Sequence, residues 1–260
     1  MKKFILVFTV VYLVIFSARA QNDSIPALST DRPTYGIAPV VVPKRFFQIE
    51  TGVLYQKEST DFADTRDLYL GQTLLRYGLF DNFELRFSAS YREQKITPKN
   101  TDIDSVTSGV NPISVGLKFR MFEGKGILPE LGFEADMTMR HIGKDGFHPT
   151  YSYPTARILA ANTLSKNFSF IYNFGFAYNG ESADGFFIWS GAFVYTVFNK
   201  ASFYAEMYGS FDHNNMPTNN MDFGFMYVFG HNIQLDISGG KSFTSTTSYI
   251  NAGFSWRIPE

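Results

Sequence analysis

The sequence predicts an all-β fold: a transmembrane, antiparallel, up-and-down β-barrel of about twelve strands that follows a cleaved signal peptide. Three observations lead there. Apolar and polar residues alternate with a period of two along most of the chain, the pattern of strands with two unlike faces. Aromatic residues make up 17% of the 260 residues, with 28 Phe and 15 Tyr, against only 18% charged residues. After residue 20 no apolar run approaches the eighteen or so residues of a transmembrane helix, so any membrane crossing falls to strands.

Residues 1–20 stand apart from the fold. Lys2 and Lys3 precede the apolar run 4–16, and Ala18-Arg19-Ala20 supplies a small-residue cleavage signature. This is the layout of a secretory signal peptide and is too short to span a bilayer. The mature chain is expected to start at Gln21 and to be exported by a Sec-type route. With no cysteine in the sequence, a lipid-anchored N-terminus, disulfides and thiolate metal sites are not expected. Residues 21–45 read as a polar, proline-punctuated periplasmic leader, and 46–260 as one barrel, a length that suits a single domain.

Twelve candidate strands follow: 46–58, 67–79, 83–95, 112–122, 129–141, 154–164, 167–179, 186–198, 201–212, 219–229, 231–240 and 247–258. In the first, Phe47, Ile49, Val53 and Tyr55 alternate with Gln48, Glu50 and Gly52. The third sets Phe83, Leu85, Phe87, Ala89 and Tyr91 against Glu84, Arg86, Ser88, Ser90 and Arg92. The fifth sets Leu131, Phe133, Ala135, Met137 and Met139 against Gly132, Glu134, Asp136, Thr138 and Arg140. The sixth and eighth alternate least cleanly. The seventh is the clearest, with Phe168, Phe170, Tyr172, Phe174, Phe176 and Tyr178 on one face. In the ninth, Phe203, Ala205, Met207 and Phe211 oppose Tyr204, Glu206, Tyr208 and Ser210. Met221, Phe223, Phe225, Tyr227 and Phe229 mark the tenth. Strands of roughly ten to twelve residues cross a hydrocarbon layer when tilted and exceed the usual soluble length.

The connections alternate too. Short ones at 80–82, 165–167, 199–200 and 230–231, with a medium turn at 123–128, lie between longer polar segments at 59–66, 96–111, 142–153, 180–185, 213–218 and 241–246. Short periplasmic turns, longer outer loops and both termini in the periplasm are the layout of a barrel in a Gram-negative outer membrane. A soluble barrel would show the same alternation. Here, however, the polar face is rich in Gly, Ser and Asn, and the apolar face holds more rings than one interior can take. The apolar set of the first strand is therefore expected to face lipid, with Gln48, Glu50 and Gly52 facing the lumen.

The inward charges become the candidate functional residues: Glu50, Arg76, Glu84, Arg86, Arg92, Lys118, Arg120, Glu134, Asp136, Arg140, Arg157, Glu206, Asp222, Asp236 and Arg257. Their mixed signs suggest a transverse network more than a strongly selective ion pore. The same charges could serve only to fill the lumen and satisfy one another. Twelve strands lie between barrels plugged by their own side chains and open sixteen-stranded pores, so a narrow or partly occluded bore is expected. Asp31-Arg32-Pro33 is expected to fold back under the barrel mouth, with Asp31 or Arg32 pairing to a lumenal charge; a plain linker is the alternative.

Several chemistries find no support. A net charge of −1 argues against a nucleic-acid partner. Nucleophilic catalysis needs a Ser and an oriented His in reach, yet His141, His148, His213 and His231 all fall in loops or turns. They form no zinc-ligand spacing, and Gly239-Gly240-Lys241 is not a phosphate-binding loop. No cofactor or metal is expected. The readings that remain are a small-solute channel first, a non-conducting accessory barrel second, and a lipase-type barrel enzyme a distant third.

The last strand resembles the C-terminal signal read by the barrel-insertion machinery, with Asn251, Gly253, Phe254, Trp256 and Ile258 in the characteristic places; Pro259 and Glu260 after them are a departure. The stretch TDRPTYGIAPVVVPKRFFQIETG (30–52), with LRYGLFDNFELRFSA (75–89) and NPISVGLKFRMFEGKGILPELGF (111–133), resembles a group of bacterial outer-membrane transporters, the phenol-degradation (MetA-type) family. Tyr35-Gly36-Ile37 departs from the more polar residues common there. The resemblance covers the N-terminal half and implies an outer-membrane barrel with a transport role, hydrophobic or aromatic solutes being suggested by the family's name. The partners expected are outer-membrane lipids, the insertion machinery and a small solute.

Overall fold

The structure is a computed structural model that describes residues 26–101, 103–211 and 217–258. The expected signal peptide, His213, Pro259 and Glu260 lie outside the described residues. Thirteen strand segments are present among them: β1 (Phe47–Ser59), β2 (Ala63–Phe80), β3 (Phe83–Pro98), β4 (Ser105–Val110), β5 (Ser114–Phe122), β6 (Glu130–Thr138), β7 (Tyr153–Ser165), β8 (Phe168–Tyr178), β9 (Gly185–Val197), β10 (Ala201–Phe211), β11 (Thr218–Phe229), β12 (Ile233–Ser242) and β13 (Ser248–Ile258). Both β4 and β5 pair with β3, at 91–96 and 83–88. They are two halves of one wall strand, interrupted at 111–113, where Pro112 has no N–H to give to the ladder. Because β1 pairs with both β2 and β13, and β2 with β3, the sheet closes on itself. The result is a twelve-stranded antiparallel barrel with no exposed sheet edge around the waist.

The wall is inside-out relative to a soluble protein. Phe174, Phe193, Phe203 and Phe223 remain 48–53% exposed on the outer face, while Arg76, Arg257 and Lys118 are the largest fully buried side chains. Burial of that kind fits a bilayer outside and a polar filling inside. No helix among the described residues is long and apolar enough to cross a membrane.

Three expectations need correction. The 96–111 segment is not a simple loop: β3 continues to Pro98 and β4 returns beside it, Lys95 opposite Val106. Likewise β1 and β2 are joined by 60–62 alone, so the alternation of short and long connections fails at the first hairpin. Beyond the bilayer both faces of a sheet are wet, so the sequence carries no apolar alternation to mark these extensions. β6, conversely, stops at Thr138. Arg140 is therefore exposed in the 139–152 loop, its N–H bonded to Ser152 Oγ at 2.9 Å, and does not face the lumen.

Candidate functional site: the occluded lumen

Residues 26–46 occupy the bore. The segment enters beside the last strand, where Arg257 Nη2 donates to Pro26 O at 2.8 Å and His231 O at 3.1 Å. It rises to mid-barrel at 31–37, then returns at 42–46 to meet β2, Arg45 N donating to Gly78 O at 2.7 Å. Its backbone makes no ladder with the wall over 29–42, so its polar groups need side-chain partners. Inward residues of many strands provide them. Glu50 Oε2 accepts from the N–H groups of Asp31 and Arg32 at 2.9 and 3.0 Å. Glu206 accepts from Tyr35 and Gly36 at 2.7 and 2.6 Å. Asn173 both accepts from Ile37 N at 2.7 Å and donates to Ile37 O at 2.9 Å. Glu84 accepts from Val42 N at 2.7 Å.

Asp31 sits at the centre of the charge network. Its carboxylate meets Arg86 at 2.6 Å, Lys118 at 2.8 Å and Arg76 at 3.4 Å. Burial would push the Asp31 carboxyl up, but Arg76, Lys118 and Arg86 outweigh it and hold the group well below the usual carboxylate range. Arg76 bridges Glu50 and Glu84, each at 2.8 Å. Arg86 also reaches Glu84 at 2.9 Å and Glu134 at 3.1 Å, with Asp136 at 3.9 Å. On the opposite wall Arg32 pairs with Asp236 at 3.1 Å and donates to Asn251 at 2.9 Å.

Glycine makes room for it. Gly52 and Gly253 face each other across the β1–β13 seam, and a β-carbon on either would run into the Arg32 guanidinium. The glycine of the C-terminal pattern thus has a local packing reason as well. Phe254, Trp256 and Ile258 alternate with inward Asn251, Gly253 and Arg257 and stand opposite Thr51, Ile49 and Phe47.

The remaining candidates divide. Arg157 lies 4.7 Å from the Tyr35 ring centroid and donates to Tyr35 O at 3.2 Å, while Tyr35 stacks on Tyr208 at 4.5 Å. Asp222 accepts from the Tyr249 and Tyr204 hydroxyls at 2.5 and 3.1 Å and makes no hydrogen bond or ion pair to the leader. Arg120 stays at the rim with Glu123 and Glu130. Arg92 pairs with Asp67 at 2.9 Å on the loop side of the network. Gln48, expected to face the lumen, does so, and Asp67, Asn173 and Gln234, absent from the inward charges named above, are buried there as well. For Asn173 and Gln234 the signal in the sequence is their place on the inward face of β8 and β12, not charge.

The leader divides the bore into two chambers. One, of about 620 Å³ on the loop side, is bounded by Asp31, Tyr35, Leu54, Leu74, Tyr208 and Tyr249 among others. The other, of about 350 Å³ on the short-turn side, is bounded by Pro26, Val42, Lys44, Gln48, Arg120 and Arg257 among others. Of the histidines, His141 and His148 lie in the 139–152 loop and His231 in the turn before β12. No group of three His, Cys, Asp or Glu able to hold a metal is found among the described residues.

Residues 30–258 match the family described as "Putative MetA-pathway of phenol degradation". The chain belongs to this family. Its barrel is also similar to a solved outer-membrane channel from Pseudomonas putida F1, with a TM-score of 0.63 and 13% identity over 88% of this chain and all of that one. The β domain of the Bordetella autotransporter BrkA aligns with a TM-score of 0.54 and 11% identity, covering 82% of this chain and 99% of that one. The translocator domain of the autotransporter NalP from Neisseria meningitidis gives 0.51 and 12%, covering 88% and 90%. These likenesses are of fold. No curated protein matches the chain. Family membership and fold make it a β-barrel of the outer-membrane type.

Proposed function

We propose that the protein is an outer-membrane channel for small solutes, hydrophobic or aromatic in character, gated by its own leader. The observation that carries this reading is the pair of chambers separated by one strap of chain. A barrel built only as a staple needs no solute-sized space on each side of its filling. The strap is held mainly by ion pairs and hydrogen bonds to inward side chains, and such buried networks contribute little net free energy because desolvation offsets their attraction. A segment bound that way can leave and return more readily than an apolar core. The tyrosines and leucines of the loop-side chamber fit a ring-bearing solute, in keeping with the family's description.

In this reading the leader enters the bore from the periplasmic side, the signal peptide directs Sec-type export, and the insertion machinery reads the strand ending at Ile258. Planar-bilayer recording of the refolded mature chain, with phenol, benzoate and glucose added in turn, tests the central part. Brief openings blocked by the aromatic solutes and not by glucose are expected. A folded, inserted barrel that never conducts would favour the accessory-barrel reading instead.

A further inference from the structure

The outer wall carries a feature that solute passage does not use. The strand register sets Lys241 opposite Ser248, Ser248 opposite Lys57, Lys57 opposite Arg66 and Arg66 opposite Lys95. Four cations thus share one hydrogen-bonding row across β12, β13, β1, β2 and β3, with a serine as the fifth member. By alternation all four belong to the outer face: Lys57 is in step with Val53 and Tyr55, Arg66 with Leu68 and Leu70, Lys95 with Tyr91, and Lys241, which also borders the loop-side chamber, with Leu235 and Ile237. Each lies within four residues of the loop end of its strand, which places the row where hydrocarbon gives way to headgroups.

Like charges directly opposite one another destabilise a sheet, and Lys57, Arg66 and Lys95 are consecutive cross-strand partners. Neighbouring acids neutralise little of this. Asp104 takes Lys95 at 2.5 Å, and Asp64 is shared between Lys99 at 3.9 Å and the Ser59 hydroxyl at 2.6 Å. Glu93 sits one row nearer the membrane, opposite Leu68. Among the described residues Lys57, Arg66 and Lys241 have no carboxylate within 4 Å; Lys57 merely lies over the Tyr55 ring at 5.6 Å. All three are exposed. Just inside the row lies bare apolar wall, with Ile250, Val53, Leu70 and Tyr91 each 42–55% exposed. The far side of the barrel differs: at its loop end Phe174, Phe187 and Phe211 stack on one another.

We propose that this row is a binding site for the phosphate groups of an anionic lipid headgroup in the outer leaflet, whose acyl chains lie on Val53, Leu70, Tyr91 and Ile250. An anion bridging the row converts cross-strand repulsion into cohesion, and it does so at the β1–β13 seam, where the two ends of the chain close the barrel. The site rests on the barrel's register and not on any transport activity.

The test uses refolded mature chain in uncharged detergent, titrated with diphosphorylated lipid A, with the same lipid stripped of phosphate, and with inorganic phosphate. Binding is followed by native mass spectrometry, and folding by the heat-dependent shift in gel mobility. Retention of the phosphorylated lipid alone is expected. The Lys57→Gln/Arg66→Gln variant should bind it more weakly by about fivefold for each cation removed, while Lys166→Gln/Lys200→Gln at the opposite end should bind like wild type. If the double variant does not fold, Arg66→Gln alone serves. Equal binding by wild type and variant, equal binding of the stripped lipid, or equivalent occupancy by inorganic phosphate would each overturn the site.

Discussion

Arg76 and Arg157 are both inward arginines, and their surroundings give them different weights. Arg76 is fully buried between Glu50 and Glu84, so removing it leaves Glu50 buried without its cation and Glu84 with only Arg86 and Lys118. Arg76→Met should cost about 3–5 kcal/mol, read as a lower urea midpoint for the gel-mobility shift. Arg157 holds one carbonyl and one ring, and Arg157→Met should cost only about 1–2 kcal/mol. Asp31 adds a pH signature. Because its docked carboxyl is held below the ordinary value of 3.8, a released leader would bind that proton more readily than a docked one. Asp31's contribution is therefore complete above about pH 4 and fades as the pH falls below that. The conductance gap between wild type and Asp31→Asn should be the same at pH 7 and pH 5 and should shrink only in stronger acid. A gap that closes between pH 7 and pH 5 would contradict this.

Among the elements, the β1–β13 seam couples closure of the barrel to docking of the leader, since Gly52 and Gly253 leave the space that Arg32 fills. Gly253→Val suits a strand but evicts the guanidinium and its bonds to Asp236 and Asn251. The local opening free energy of the leader should fall by about 3 kcal/mol. With no native cysteine, an Ile37→Cys reporter measures this cleanly: thiol labelling at the buried position should speed up by roughly a hundredfold in the Gly253→Val background. Unchanged labelling would mean that Arg32 does not hold the leader. Strand identity was legible wherever a wall has lipid on one face, as in β8 and β10. It was not legible in β4, Ser105–Val110, where polar residues serve both faces, nor at the end of β6, where Met139 and Arg140 continue the alternation after the ladder has stopped.

At the scale of the molecule, an inverted barrel was readable because ring-rich and polar faces alternate through the whole chain. The position of the leader was only half readable. Asp31 and Arg32 announce a charged element, but the amides and carboxylates that receive its backbone come from β1, β3, β8 and β10, far apart in sequence and joined only by the closed register. Mixed charge in the lumen, ambiguous between pore and filling in the sequence, is organised around one strap of chain, and the proposed gating requires that strap to be removable. The measurement that bears most directly on that claim is solute flux through a barrel whose leader is tied to the wall. A β-carbon at Gly36 would lie 2.8 Å from both Ser190 Oγ and Glu206 Oε1, so a Gly36→Cys/Ser190→Cys disulfide can tie the strap to the wall once the Glu206 carboxylate swings aside. In liposomes the oxidised variant should admit no aromatic solute, and reduction should restore uptake to that of wild type. Equal uptake before and after reduction would show that solutes pass with the leader in place, and the gating account would fail.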